Sequence, residues 1–305
     1  MKKVFLVVAL FASTIVYSQC ACCAGASAGA SNGDLNNGIL TLNKKQLLVE
    51  AYNEYRTVKQ GEAPEDEEKL LRTMDISSLG IRYGLTKRIT VSALLPYVFL
   101  HTNGGDDNGI GDLTLLGTFN VLSKKNWNIA LQTGIKLPTG IQKNSNFDNT
   151  TVIIGSGSYD PLAGLIISKR WNKLSIQANT MYKYATLGFQ QNYYGSLSIQ
   201  NISFAYKLKS KDCTCPTDTT DHKCRSDFDW KVSIGYNGEW LDKIKEDNIV
   251  DENSGYYLGF VNVGTTLTAR KWSIPLTVYL PVIQQLNGTQ NNAGYRIRIG
   301  IIRTF

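Results

Sequence analysis

The sequence predicts an all-β fold: a transmembrane antiparallel up-and-down β-barrel of about 12 strands, with short periplasmic turns and long extracellular loops. Three observations predict it. From Gln46 onward the chain breaks into segments of roughly 10 to 14 residues that alternate polar and apolar side chains, with no sustained helical period. The connections between those segments alternate between tight and long. Four tryptophans stand beside connections on the tight-turn side and so share one height of the barrel.

The segments fall near 46–58, 74–85, 89–100, 110–122, 127–138, 160–171, 174–187, 193–208, 229–241, 255–269, 271–282 and 294–305. An even number places both ends of the barrel on one side, as a single-chain bacterial barrel requires. Segment 193–208 shows a phase slip of the kind a β-bulge produces. The tight connections, 86–88, 123–126, 172–173 and 270–271, are basic and read as periplasmic. The long ones, 59–73, 101–109, 139–159, 242–254 and 283–293, read as extracellular. Connection 209–228 breaks the rule, being long on the tight side.

The strand faces agree with this reading. In 127–138, Trp127, Ile129, Leu131, Ile135 and Leu137 share one face, and Asn128, Gln132 and Lys136 the other. The last strand sets Tyr295, Ile297, Ile299 and Ile301 against Arg296 and Arg298. A soluble sandwich alternates in the same way, so the tryptophans carry the distinction. Trp127, Trp230 and Trp272 open strands just after connections read as periplasmic, and Trp171 closes one just before, as an aromatic girdle at a membrane interface would. Phe305 ends the last strand and resembles the signal read by the barrel-insertion machinery.

The first residues set the compartment. Lys2-Lys3, the apolar run Val4 to Val16 and Tyr17-Ser18 read as a secretory signal peptide, 1–18, cleaved before Gln19. The run is shorter than the ~20 residues of a spanning helix. Cys20 invites a lipoprotein reading, against which stand Gln19, where a small residue is wanted, and Tyr17, where an aliphatic one is. Residues 19–45 read as a flexible periplasmic arm carrying cysteines, and 46–305 as the outer-membrane barrel. A chain that is 43% hydrophobic is too apolar for disorder. Its net charge of +7 comes without a long basic block, zinc-finger spacing or RNA-binding signature, which excludes nucleic acid as a partner.

Several phrases in the first half then become recognisable. Leu95-Pro96-Tyr97, Gly109-Ile110-Gly111-Asp112-Leu113, Leu137-Pro138-Thr139-Gly140 and Gly155-Ser156-Gly157-Ser158-Tyr159-Asp160-Pro161 follow in that order. Over roughly 75–210 the chain resembles the outer-membrane "transporter" family named for the phenol meta-degradation pathway. The resemblance implies a barrel and the passage of small organic solutes, and it carries no catalytic residues. The motifs also have a purely structural reading: Gly-x-Gly-Asp gives a tight strand entry with Asp112 inward, and Pro138 with Gly140 ends a strand.

Two constellations could carry chemistry. Cys20, Cys22 and Cys23 lie on the arm, and Cys213, Cys215 and Cys224, with His222, lie in 209–228, so both clusters belong to the periplasm. Disulfides between arm and loop are one reading, in an oxidising compartment with an even count. A thiolate and imidazole site for Cu or Zn is the other. The second constellation is inward charge: Glu50, Glu54, Asp112 and Glu239 against Arg82, Lys136, Lys183, Lys231, Arg296 and Arg298. These could fill the lumen as salt bridges or set the selectivity of a narrow pore with a mild anion preference. No catalytic residue is read. His101, with Thr102 and Asn103 beside it, lacks a nucleophile motif.

The expectation is therefore a narrow channel for small solutes in the outer membrane, with the bilayer and the insertion machinery as partners. The alternative is a non-conducting barrel that anchors a periplasmic Cys/His metal-binding or partner-docking site.

Overall fold

The computed structural model describes residues 41–59, 71–102, 105–124, 126–144, 151–210 and 228–305. Twelve strands build one sheet: β1 Leu47–Lys59, β2 Leu71–Gly84, β3 Ile89–Thr102, β4 in two pieces (Asp106–Ile110 and Leu113–Lys124), β5 Trp127–Leu137 and β6 Asp160–Trp171. They continue as β7 Leu174–Lys183, β8 Leu197–Ser210, β9 Phe228–Leu241, β10 Tyr256–Ala269, β11 Trp272–Leu286 and β12 Asn292–Thr304. Each pairs antiparallel with its sequence neighbour, and β1 pairs with β12 in register Glu54↔Arg298, so the sheet closes on itself. Closure at twelve strands is what the sequence predicts, and it leaves no edge.

The connections sort as expected. At one end β2–β3, β4–β5, β6–β7 and β10–β11 are joined by tight turns, and both ends of the barrel, Leu47 and Thr304, lie there. Two of these turns are two-residue hairpins, with Trp171↔Leu174 and Ala269↔Trp272 as their closing pairs. Such turns need a positive φ, which Asn172 (40°) and Arg270 (52°) supply. The β8–β9 connection also opens at this end, and its residues 211–227 lie outside the described residues. The opposite end carries the long connections, with short hairpins at 142–144/151–153 and 245–246/249–250.

Several strand boundaries differ from the sequence reading: β2 begins at Leu71 rather than 74, β11 runs four residues past 282 to Leu286, and three further differences have a visible cause. Residues 110–122 were expected as one strand; instead β4 starts at Asp106 and breaks at Gly111-Asp112. The cause lies on β3, where Pro96 has no N–H to offer and the ladder steps from Tyr97↔Ile110 to Leu94↔Thr114. Segment 193–208 loses its first four residues, because Gly195 at φ 82° turns the chain tight against the Asp242 carbonyl. Its phase slip is not a bulge: the apolar residues change from the inner face (Leu197, Ile199) to the outer one (Ile202, Phe204, Tyr206) where the register with β9 is continuous, and the register shift lies farther on, between Lys207 and Lys209. Segment 174–187 stops at Lys183, beyond which the chain forms a loop with a single 3-10 turn, Phe189–Gln191.

The two faces of the sheet differ as a barrel in lipid demands. Ile297, Ile299 and Ile301 face outward and lie exposed, while Arg296, Arg298 and Ile302, at the alternate positions, are buried. Trp127, Trp171, Trp230 and Trp272 all lie on the outer face at the tight-turn end, each about two-fifths exposed. A fifth, Trp240, marks the other end of β9 on the same face. Ten residues separate Trp230 from Trp240, about 33 Å of strand at ~3.3 Å per residue. At a tilt near 40° that becomes about 25 Å, the height of the apolar band of an outer-membrane barrel.

Inside, Gly300 on β12 lets the Tyr52 ring of β1 lie across it, and a Cβ there would collide with the ring. Gly300→Val should therefore lower the unfolding free energy by about 1–3 kcal/mol, the usual cost of overpacking. Ile301→Val, one residue on but facing outward, should change it by well under ~1 kcal/mol. Urea unfolding in detergent micelles compares the two.

Candidate functional site

The site is the lumen, lined by every second residue of each strand. On the wall made by β4 to β7, four charges gather near the extracellular rim. Lys136 and Asp160 stand directly opposite each other across β5 and β6. The Lys136 ammonium lies 2.8 Å from an Asp112 oxygen and 2.9 Å from an Asp160 oxygen, and Lys183 lies 3.6 Å from Asp160. Asp112 also accepts hydrogen bonds from the Gly140 N–H (2.9 Å), the Ser156 N–H (2.8 Å) and the Ser156 hydroxyl (2.7 Å). Ser156 in turn bonds to Lys136 and to Ser158. Asp160 accepts a further bond from the Thr186 N–H at 2.9 Å.

All the conspicuous motifs of the first half meet in this knot. Gly-x-Gly-Asp supplies Asp112, Leu-Pro-Thr-Gly supplies Gly140, and Gly-Ser-Gly-Ser-Tyr-Asp-Pro supplies Ser156, Ser158 and Asp160. Gly140 and Gly155 approach so closely that a Cβ on either would strike the other's backbone. Thr139 accepts the Leu113 N–H at 2.8 Å and so splints the break in β4. With Lys136 and Lys183 each 1% exposed, two lysines and two aspartates form a neutral, closed group. The knot pins the loop between β5 and β6 against the wall.

The facing wall carries a different arrangement. On β1, β2 and β12, Glu50 pairs with Arg82 at 3.2 Å, and Glu54 pairs with Arg56 at 2.6 Å and with Arg298. Arg296 reaches past β11 and β10 to grip Glu239 on β9 through both nitrogens, at 2.6 and 3.0 Å. Three strand spacings of ~4.8 Å make that a span of about 14 Å along the wall. The Arg296 guanidinium rests on the Phe260 ring at 4.0 Å, and Arg298 lies 5.9 Å from the Tyr279 ring. Four arginines thus face three glutamates here, a surplus of one positive charge.

Above and around this waist the inward face turns apolar. Met74, Ile76, Val98 and Ile154 form one buried cluster, and Leu162, Met181, Tyr194, Leu197 and Leu241 belong to another. Below the waist Leu42 sits in a socket of Leu48, Ile302 and Tyr52. Its N–H donates to Thr90 at 2.8 Å, so the end of the arm is seated in the periplasmic mouth.

The charges read from the sequence therefore separate. Asp112, Lys136 and Lys183 are taken up by the knot, while Arg82, Arg296 and Arg298 stand in the waist. Lys231 is half-buried near the periplasmic end, across from Lys207 in register. Cys20, Cys22, Cys23, Cys213, Cys215, His222 and Cys224 lie outside the described residues. His101 sits at the outer end of β3 beside Asp106 (2.9 Å) and Asp75 (3.5 Å). The sequence reading missed Arg56, Asp160, Phe260 and Tyr279. Only Asp160 carried a signal, its place in a recognised motif.

Comparison with known structures follows this geometry. A crystal structure of an outer membrane channel from Pseudomonas putida F1 superposes with a TM-score of 0.64 at 15% identity, covering 87% of this chain and 97% of that one. The chain has the fold of an outer-membrane barrel. The NanC porin (TM-score 0.46, 11% identity, 84% of this chain and 98% of that one) and the KdgM porin (0.44, 12%, 85% and 99%) share less of the geometry. Residues 67–214 match the family model described as the MetA pathway of phenol degradation, the family that the motifs resemble. No curated protein matches the sequence.

Lys136→Met would leave Asp112 without its cation and Asp160 with Lys183 alone. Removing one partner of a buried pair costs about 3–5 kcal/mol. The expected result is that loss in urea unfolding, with Lys136→Met/Asp112→Asn recovering part of it because the stranded charge goes with its partner.

Proposed function

We propose that the barrel is a narrow channel for small solutes that combine an apolar body with a polar or anionic group. The observation that carries this reading is the succession along the lumen: an apolar upper belt, then a waist of arginine and glutamate with Phe260 and Tyr279 against the guanidinium groups. A water-filled porin has little use for Met74, Ile76 and Val98 on its inner face, whereas an apolar solute gains from losing water there. The surplus positive charge at the waist, held between low-dielectric walls, favours anions. The family's description, degradation of phenol, concerns solutes of this size and polarity.

Planar-bilayer recording under a tenfold salt gradient tests it. The native barrel should show discrete openings with a reversal potential of the anion-selective sign. Arg298→Gln should move that potential towards zero or across it, since it erases the surplus. Unchanged selectivity in the variant, or a silent native barrel, would count against the reading.

A second reading keeps the barrel as an anchor for a periplasmic Cys/His site. It is supported by the seat of Leu42 at the same end of the barrel at which β8 ends and β9 begins. Cu or Zn bound there by Cys213, Cys215, Cys224 and His222 should be found by elemental analysis of the purified protein. It should fall by more than half when the three cysteines become serine. Disulfides would instead show as a mass increase on reduction and alkylation.

A further inference from the structure

The outer face of the periplasmic end carries the same arrangement twice. On β6, the Lys169 ammonium lies 4.5 Å from the centre of the Trp127 ring and 4.5 Å from that of Trp171. On β12, the Arg303 guanidinium lies 4.9 Å from the Trp272 ring and 4.6 Å from the Phe305 ring. The grammar is the same: a cation, an aromatic residue two places on along the chain, and a tryptophan opposite the cation on the neighbouring strand, Trp127↔Lys169 and Trp272↔Arg303. The strands β6 and β12 are six apart in a barrel of twelve, so the two arrangements lie on opposite sides.

Among the described residues no carboxylate stands within ion-pair distance of Lys169 or Arg303. The surroundings are basic as well. The tight turns add Lys87, Arg88, Lys124, Lys173, Arg270 and Lys271, and Asp229 at this end is tied to Lys207 at 2.9 Å. The rings hold each cation at the lipid surface, where an unrestrained side chain would snorkel towards water. A cation over the face of an aromatic ring keeps its charge available on the side away from the ring.

We propose that these are two headgroup sites for anionic glycerophospholipids of the periplasmic leaflet, each cation taking a lipid phosphodiester between its aromatic neighbours. Charge complementarity selects the occupant. A phosphatidylglycerol or cardiolipin headgroup brings net negative charge to a basic collar, whereas phosphatidylethanolamine also brings an ammonium group that the collar repels. The height fits, since the tryptophans mark the interface at which headgroups lie. One Lys or Arg close to an anionic lipid surface contributes ~1 kcal/mol, a preference of about fivefold per site.

The tryptophans supply the readout. The full-length barrel is reconstituted in phosphatidylethanolamine vesicles that contain either brominated phosphatidylglycerol or brominated phosphatidylethanolamine at equal mole fraction. Quenching of tryptophan fluorescence should favour the brominated phosphatidylglycerol by about fivefold in relative affinity. Lys169→Gln and Arg303→Gln should each reduce that preference, and the double variant should abolish it. Lys87→Gln/Lys271→Gln, which removes two charges outside the aromatic sandwiches, should leave most of it. Equal quenching by the two lipids in the native barrel overturns the proposal. So does a double variant with its preference intact, or a control pair that loses as much as the sandwich pair.

Discussion

Within a bilayer every peptide group has to find its partner inside the protein, and the pairing of β1 with β12 is what makes that possible here. Without this seam the sheet would expose two edges to hydrocarbon, at a cost of several kcal/mol for each unpaired group. The seam is held on both faces. Inside, Glu54 of β1 meets Arg298 of β12 at a position where they are also backbone partners. Outside, Tyr55 and Tyr295 pack with ring centres 6.4 Å apart. Closure also dictates that whatever points inward is trapped there, and this explains why so many inward charges are paired.

The knot around Asp112 follows from the same constraint. The connection between β5 and β6 is long, and a long loop over a barrel mouth needs anchoring if it is to keep one position. Lys136 and Asp160 are backbone partners at the top of adjacent strands, so the ion pair comes with the register. The break in β4, imposed by Pro96, frees Asp112 to turn inward and accept the Gly140 and Ser156 N–H groups. A backbone irregularity that weakens the ladder thus becomes the anchor for the loop above it. The glycines of the motifs are there because Gly140 and Gly155 must touch.

Much of this was legible in the sequence, for a physical reason. Period-two alternation and turn chemistry are local, so twelve strands, their sidedness and the height of Trp127, Trp171, Trp230 and Trp272 could be read along the chain. The knot could not. Asp112, Lys136, Asp160 and Lys183 sit on four successive strands, and bringing them together depends on register and on the β4 break, which alternation does not encode. The Arg296–Glu239 pair, spanning two intervening strands, depends on barrel curvature and has no sequence signal. The inward apolar residues were hidden differently. Alternation distinguishes two faces without saying that the inner one must be polar, so Met74, Ile76 and Val98 passed unnoticed among Ser78 and Arg82. The strand boundaries at 193–197 and 183–187 moved because loop packing, through Gly195 against Asp242, outweighed local pattern.

The inner face has two characters, and in the proposed channel they would act on different properties of a solute. The apolar belt acts on the body of the solute through removal of water, a term that grows with area and is indifferent to charge. The waist acts on charge. There the glutamates offset most of the cost of placing four arginines in a confined space, and one surplus positive charge sets the sign of the field. Moving Arg296 off Phe260 would alter both at once, since that ring belongs to the apolar lining and to the cation's support. Arg298 is separable, because its main partner is Glu54 and the Tyr279 ring lies farther off, at 5.9 Å. On the proposed reading, selectivity for charge and affinity for an apolar body would rest on neighbouring inward positions of one strand, Arg298 and Arg296, without being the same property.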